Sequence, residues 1–171
     1  MNGRTGQGRP ERIRPVRVLM RRSKNPDSPW GIPRWELLAV LPDTDPPERR
    51  ERRLVHQIDG QHDFEWAGLR VLMFRDAAES YWYNLVGREP SLCVICRAGE
   101  DIDLEPFVVT ANYDEAGAHM ETDDTVFSAP LPAELVTELE EFVMKHYRPV
   151  KPHKRRRRNW AAEAEDAQRR K

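Results

Sequence analysis

Apolar and basic residues roughly alternate through residues 16–22, where Val16, Val18 and Met20 are set against Arg17, Arg21 and Arg22, the period-two pattern of a strand with one wet face. A second strand is predicted over 35–41, closed by Pro42, and a short one over 54–58. Asp59-Gly60 then predicts a two-residue hairpin turn, since both residue types tolerate positive φ. The return strand reads Phe64, Trp66, Leu69, Val71, Met73. Its apolar phase slips by one residue at Ala67-Gly68, which predicts a bulge or a second turn at that glycine. Between the first two strands Asn25, Pro26, Asp27, Ser28 and Pro29 make a turn-rich loop that continues through Trp30, Gly31 and Pro33.

After residue 76 the period changes. Ala78, Tyr81, Trp82 and Leu85 share a helical face, Asp76 with Glu79 reads as a capping box, and Gly87 with Pro90 ends the helix. Apolar runs at 92–97, 107–111 and 125–129 read as strands, the first of them buried, and 113–120 gives a weaker helical segment interrupted by Gly117. Leu135, Leu139, Phe142, Val143 and His146 hold helical spacing between Pro132 and Pro149, the clearest helix in the chain. These elements predict an α+β domain at 16–148, a mainly antiparallel sheet with two or three packed helices. A disordered basic arm at 1–15 and a basic tail at 149–171 flank it.

Charge sharpens the division. The 28 basic and 29 acidic residues leave a net charge of -1, yet no lysine or arginine occurs from residue 98 to 144. The acidic stretch can therefore receive a basic surface, and the basic ends can seek an acidic one. The tail carries Lys151, Lys154, Arg155, Arg156, Arg157 and Arg158, followed by Trp160. It suits docking on an acidic protein surface, self-association through another copy's acidic stretch, or binding of nucleic acid. No apolar run approaches the roughly 20 residues that span a bilayer, and polar residues follow Arg21-Arg22, so neither membrane insertion nor export is expected and a cytoplasmic protein is.

Candidate chemistry is sparse. Cys93 and Cys96 form a Cys-x-x-Cys, but a strand would place them on opposite faces, which favours buried structural cysteines over zinc or redox work. His56, Asp59, His62 and Asp63 cluster at a hairpin tip, and His119 lies near Glu121, Asp123 and Asp124; wet polar loops account for both groups. No nucleotide-binding or nucleophile motif is present, so no catalytic residue is assigned and no metal or cofactor is expected. Trp30 and Trp35 can lock their loop or face a partner. In the run Tyr81, Trp82, Tyr83, the last ring is the one expected to be exposed. Trp30, Trp35, Tyr83, the tail cations and Trp160 are the partner-binding candidates.

Several stretches, in order, resemble an uncharacterised bacterial family encoded beside molybdenum-dependent formate dehydrogenase genes. They are Pro15-Val-Arg-Val, Asn25-Pro-x-x-Pro-Trp30, Arg34-Trp-Glu-Leu-Leu-Ala-Val-Leu-Pro42, Tyr81-x-x-Asn-Leu85, Pro90-Ser91, Pro106-Phe-x-Val-Thr110 and Lys154-Arg-Arg-Arg-Arg158. The resemblance covers about residues 16–158. It implies a non-catalytic accessory role in maturation or assembly of a formate dehydrogenase, with a subunit of that enzyme or one of its maturation factors as partner. It brings no catalytic residues with it, and Cys93 and Cys96 are not part of the pattern.

Overall fold

The computed structural model describes residues 8–149, so the basic run at 151–158 and Trp160 lie outside the described residues. Seven strands form one sheet within it: β1 (Arg12–Ser23), β2 (Arg34–Pro42), β3 (Glu51–Ile58), β4 (Gln61–Met73), β5 (Ser91–Arg97), β6 (Glu105–Thr110) and β7 (Thr125–Pro130). The helices are α1 (Ala78–Val86), α2 (Tyr113–Met120) and α3 (Ala133–His146). β1 starts at Arg12, so residues 12–15, expected in the N-terminal arm, pair with β4.

The strand order is β2-β1-β4-β6-β5-β7, with β3 also on β4. On one side β4 pairs antiparallel with β1 from Ser23↔Gln61 to Arg12↔Met73. On the other it holds β3 as far as Glu51↔Ala67 and then β6, in parallel, at Val71↔Val109. The expected architecture is corrected by this topology. The fold is mostly sheet, the sheet is mixed, and it curls into a near-barrel whose end strands β2 and β7 come into contact. Alternation marks where strands are but not which edge a later strand joins. Here the chain leaves β4, passes through α1 and β5, and brings β6 back against β4. Register shifts in the β1–β2, β1–β4, β3–β4 and β5–β6 ladders supply the curvature, because an extra residue on one strand bends it and increases its twist.

The slip at Ala67-Gly68 is one of these bulges. Val16 faces Leu69 and Val18 faces Trp66, so Arg17 alone stands opposite Ala67 and Gly68. The bulge moves the buried set from Trp66 to Leu69, Val71 and Met73, keeping both halves of β4 on the core. Gly68 has φ 79°, and a Cβ there would lie 2.8 Å from the Arg49 carbonyl oxygen. At the hairpin turn only Gly60 takes positive φ, at 75°, and Asp59 does not.

Val16, Val18 and Met20 of β1 meet Trp66, Leu69 and Val71 of β4, Leu92, Val94 and Cys96 of β5, and Leu135, Leu139, Phe142 and Val143 of α3 in one core. Asn84, fully buried on α1, ties the helix to β5 and to the residue that follows β6. Its amide donates to the carbonyls of Ser91 (2.8 Å) and Ala111 (2.9 Å), and its oxygen accepts from the Ser91 N–H (3.0 Å). Each of those backbone groups would otherwise be costly to bury. The expected capping box does not form. Arg75–Ala77 make a 3-10 turn in which the Ala77 N–H already bonds Phe74, and α1 has no side-chain cap. The side-chain cap is instead on α2, where Asn112 accepts from the N–H groups of Asp114 and Glu115.

Glycine substitutions separate conformational strain from collision. A Cβ added at Gly31, φ 66°, would meet nothing within 4 Å, so Gly31→Ala should cost only the left-handed backbone penalty of about 1 kcal/mol. Gly68→Ala adds contact with the Arg49–Arg50 backbone and should cost about 3 kcal/mol in urea unfolding; equal costs at the two sites would contradict this reading of the bulge.

Candidate partner-binding surface

The loop between β1 and β2 is held by its own polar groups. The Ser28 N–H bonds the Asn25 carbonyl (3.1 Å), the Gly31 N–H bonds the Ser28 carbonyl (3.2 Å), and the Ser28 hydroxyl accepts from the Ile32 N–H (3.0 Å). Pro26, Pro29 and Pro33 restrict the backbone further, and Gly31 supplies the left-handed conformation. This ordered loop leaves Trp30 85% exposed and Ile32 exposed beside it.

Register places a third apolar side chain at the same end of the sheet. Arg34 pairs with Ser23, Ser23 with Gln61 and Gln61 with Ile58, so the β1–β2 loop and the β3–β4 turn rise from one row of residues. The Lys24 N–H bonds the Gly60 carbonyl (3.1 Å) across them. Ile58 is exposed there, and Leu54 and Val55 continue the exposed apolar positions down β3. Sequence reading did not single out Ile32, Leu54, Val55 or Ile58. A β-branched residue between Gly31 and Pro33, and the apolar 54, 55 and 58 beside the Arg-rich 49–53 loop, were the available signals.

Trp35 has a different setting. Its ring packs on Phe64 (centroids 6.0 Å) and Trp66 (6.2 Å), and its indole N–H donates to Asp103 (2.7 Å). Asp103 also receives Arg22 (2.8 Å), while Asp101 receives Arg52 through two bonds of 3.0 and 2.7 Å. The acidic β5–β6 loop is thereby strapped across β1 and β3, bounding a groove of about 410 Å³ with His62 and Phe64. Similar pairs join Arg97 to Asp124, Arg14 to Glu138 and Arg12 to Glu141. The acidic stretch thus receives arginines of its own domain. Tyr83 is 60% exposed on α1, away from the core that holds Tyr81.

The cysteines lie on β5 with Cys96 in the core and Cys93 buried on the other face. Cys96 Sγ sits 3.9 Å from Met20 Sδ, and burial together with the nearby Asp124 charge pushes its thiol up to about 12. A thiol so held does not supply a thiolate near neutral pH. Asp63 is taken by Arg21 through bonds of 2.8 and 2.9 Å, His62 stacks on Phe64, and His119 pairs with Asp124 at 2.7 Å. Among the described residues no group of three or more His, Cys, Asp or Glu is placed to hold a metal ion. No helix among them is long and apolar enough to cross a membrane.

A family model with the description "Protein of unknown function (DUF3305)" matches residues 15–158. The chain belongs to the DUF3305 family. Nothing matches among curated proteins or among solved structures. The DUF3305 span contains the Trp30 loop, Trp35, the acidic strap and Asn84, together with the basic run at 151–158.

The strap carries a pH dependence. Arg52 hydrogen bonds hold the Asp101 carboxyl below its ordinary value. At Asp103 burial pushes the carboxyl up, but the bonds from Trp35 and Arg22 prevail and it too is lowered. Both groups bind protons less readily folded than unfolded. Their contribution is therefore present above about pH 4 and is lost as pH falls further. Amide exchange across residues 99–103, corrected for its intrinsic pH dependence, should show protection at about pH 6 that is gone by about pH 3; equal protection at both would refute the strap's electrostatic origin.

Proposed function

We propose that the chain is a non-catalytic accessory protein that binds another protein through the Trp30 end of its near-barrel, in maturation or assembly of a molybdenum-dependent formate dehydrogenase. The observation that carries the binding reading is the 85% exposure of Trp30 on a hydrogen-bonded, proline-restricted loop. Indole is usually buried or an interface anchor, and an ordered loop that holds it in water matches the second role. Ile32 and Ile58 at the same end extend the apolar area that a partner would cover.

The split and protonated cysteine pair supports binding over redox chemistry. The client class comes from the resemblance of the Asn25-Pro-x-x-Pro-Trp30 and Arg34–Pro42 stretches, which form the exposed loop and the strand that follows it.

Affinity purification of a tagged full-length chain at low salt tests both parts. A formate dehydrogenase subunit or maturation factor should be recovered, and Trp30→Ala should reduce its recovery about thirtyfold, as loss of an aromatic hot spot does. The same substitution should change folding stability by less than about 0.5 kcal/mol, because so exposed a ring contributes little to the core. Recovery of no such protein would reject the client, and undiminished recovery by Trp30→Ala would reject the surface. Nucleic acid recovered instead, lost steeply with salt and on changing Arg155, Arg156, Arg157 and Arg158 to alanine, would favour a nucleic-acid-binding protein.

A further inference from the structure

Asp63, Asp101, Asp103 and Asp124 each meet an arginine, but the carboxylates that line one cleft do not. Between α1 and α2 lies a cleft of about 260 Å³ lined by Asp76, Glu79, Ser80, Tyr83, Tyr113 and Asp114. None of its three carboxylates makes an ion pair among the described residues, whereas Glu138 and Glu141 on α3 also do. Ser80 is only 7% exposed, lines the cleft, and its hydroxyl makes no hydrogen bond to a described residue. Tyr113 is fixed by its hydroxyl at 2.8 Å from Ser91 Oγ, and Tyr83 stands exposed on the other helix.

Three uncompensated carboxylates, a spare hydroxyl acceptor and two phenol rings select a guanidinium-rich ligand. Planar arginine can bond carboxylate and hydroxyl while stacking on an aromatic face, which an ammonium does less well. Such a segment starts close by. The Tyr147 hydroxyl donates to Glu79 on the cleft wall at 3.3 Å, and Lys151 follows four residues later, a distance an extended chain covers in about 13 Å.

We propose that the α1–α2 cleft is the docking site for the chain's own basic segment at residues 151–158, which lies outside the described residues. Docked in cis, its guanidinium groups neutralise Asp76, Glu79 and Asp114 and use the Ser80 hydroxyl as acceptor. The segment is then withheld from other acidic partners until one with a denser negative charge competes for it. This site is separate from the Trp30 surface, and neither depends on the other.

Zero-length carbodiimide coupling of the dilute full-length chain, with peptide mapping of the monomer, tests it. Lys151 or Lys154 should be joined to Asp76, Glu79 or Asp114, and the product should vanish near 1 M salt, where screening acts over about 3 Å. Changing Arg155, Arg156, Arg157 and Arg158 to glutamine leaves the coupling groups in place. It should lower the yield about tenfold, the combined weight of four weak exposed pairs. An unchanged yield in that variant, coupling to the 99–103 loop instead, or products found only between two copies would each overturn docking in cis.

Discussion

β4 has one continuous neighbour on one side and two on the other, and the fold follows from how it accommodates them. β3 occupies the second edge as far as Ala67 and β6 takes it up at Val71. The change of partner falls at Gly68, where β4 also bulges against β1 and the backbone of Arg49 and Arg50 comes too close for any side chain. One residue without a Cβ therefore lets three strands meet β4 within a single turn of the sheet. It also rotates the inward face of β4 so that Trp66 on one side and Val71 on the other reach the same core. Because the sheet bends at these shifts, β2 and β7 are brought together, which leaves fewer open edges for unwanted pairing.

Closure of the sheet decides what remains on the outside. Arginines of β1, β3 and β5 pair with the acidic loops and with α3, so part of the polarity seen along the sequence is neutralised within the folded body. Two surfaces stand apart from that neutralisation. One is apolar, around Trp30 and Ile58 at the end of the β1–β4–β3 row. The other is acidic, around Asp76, Glu79 and Asp114 beside the point where the described chain ends. Their separation on different elements allows a partner to be held at one while the other is occupied.

Features legible in the sequence are those set by neighbouring residues. The slip in apolar phase located the Gly68 bulge, helical spacing located α1 and α3, and the run Tyr81, Trp82, Tyr83 located the exposed ring. Properties set by distant residues were hidden. Nothing local says that β6 lies parallel to β4, since that pairing depends on where β5 and α1 leave room. Trp30 and Trp35 look alike in sequence, but only Trp35 has Phe64, Trp66 and Asp103 to cover it. Asp76 has the sequence of a helix cap, yet a 3-10 turn over Arg75–Ala77 leads into α1, which has no side-chain cap.

If β4 is the shared spine, the strands on either side of Gly68 form a single cooperative unit. Native-state hydrogen exchange measures this directly, as the opening free energy of each protected amide. Amides of β1, β4 and β6 flanking Gly68 should open together, with free energies within about 1 kcal/mol of one another and equal to that of global unfolding. A β3–β4 half that opens several kcal/mol more easily than the half bearing Val71, as an independent unit, would contradict it.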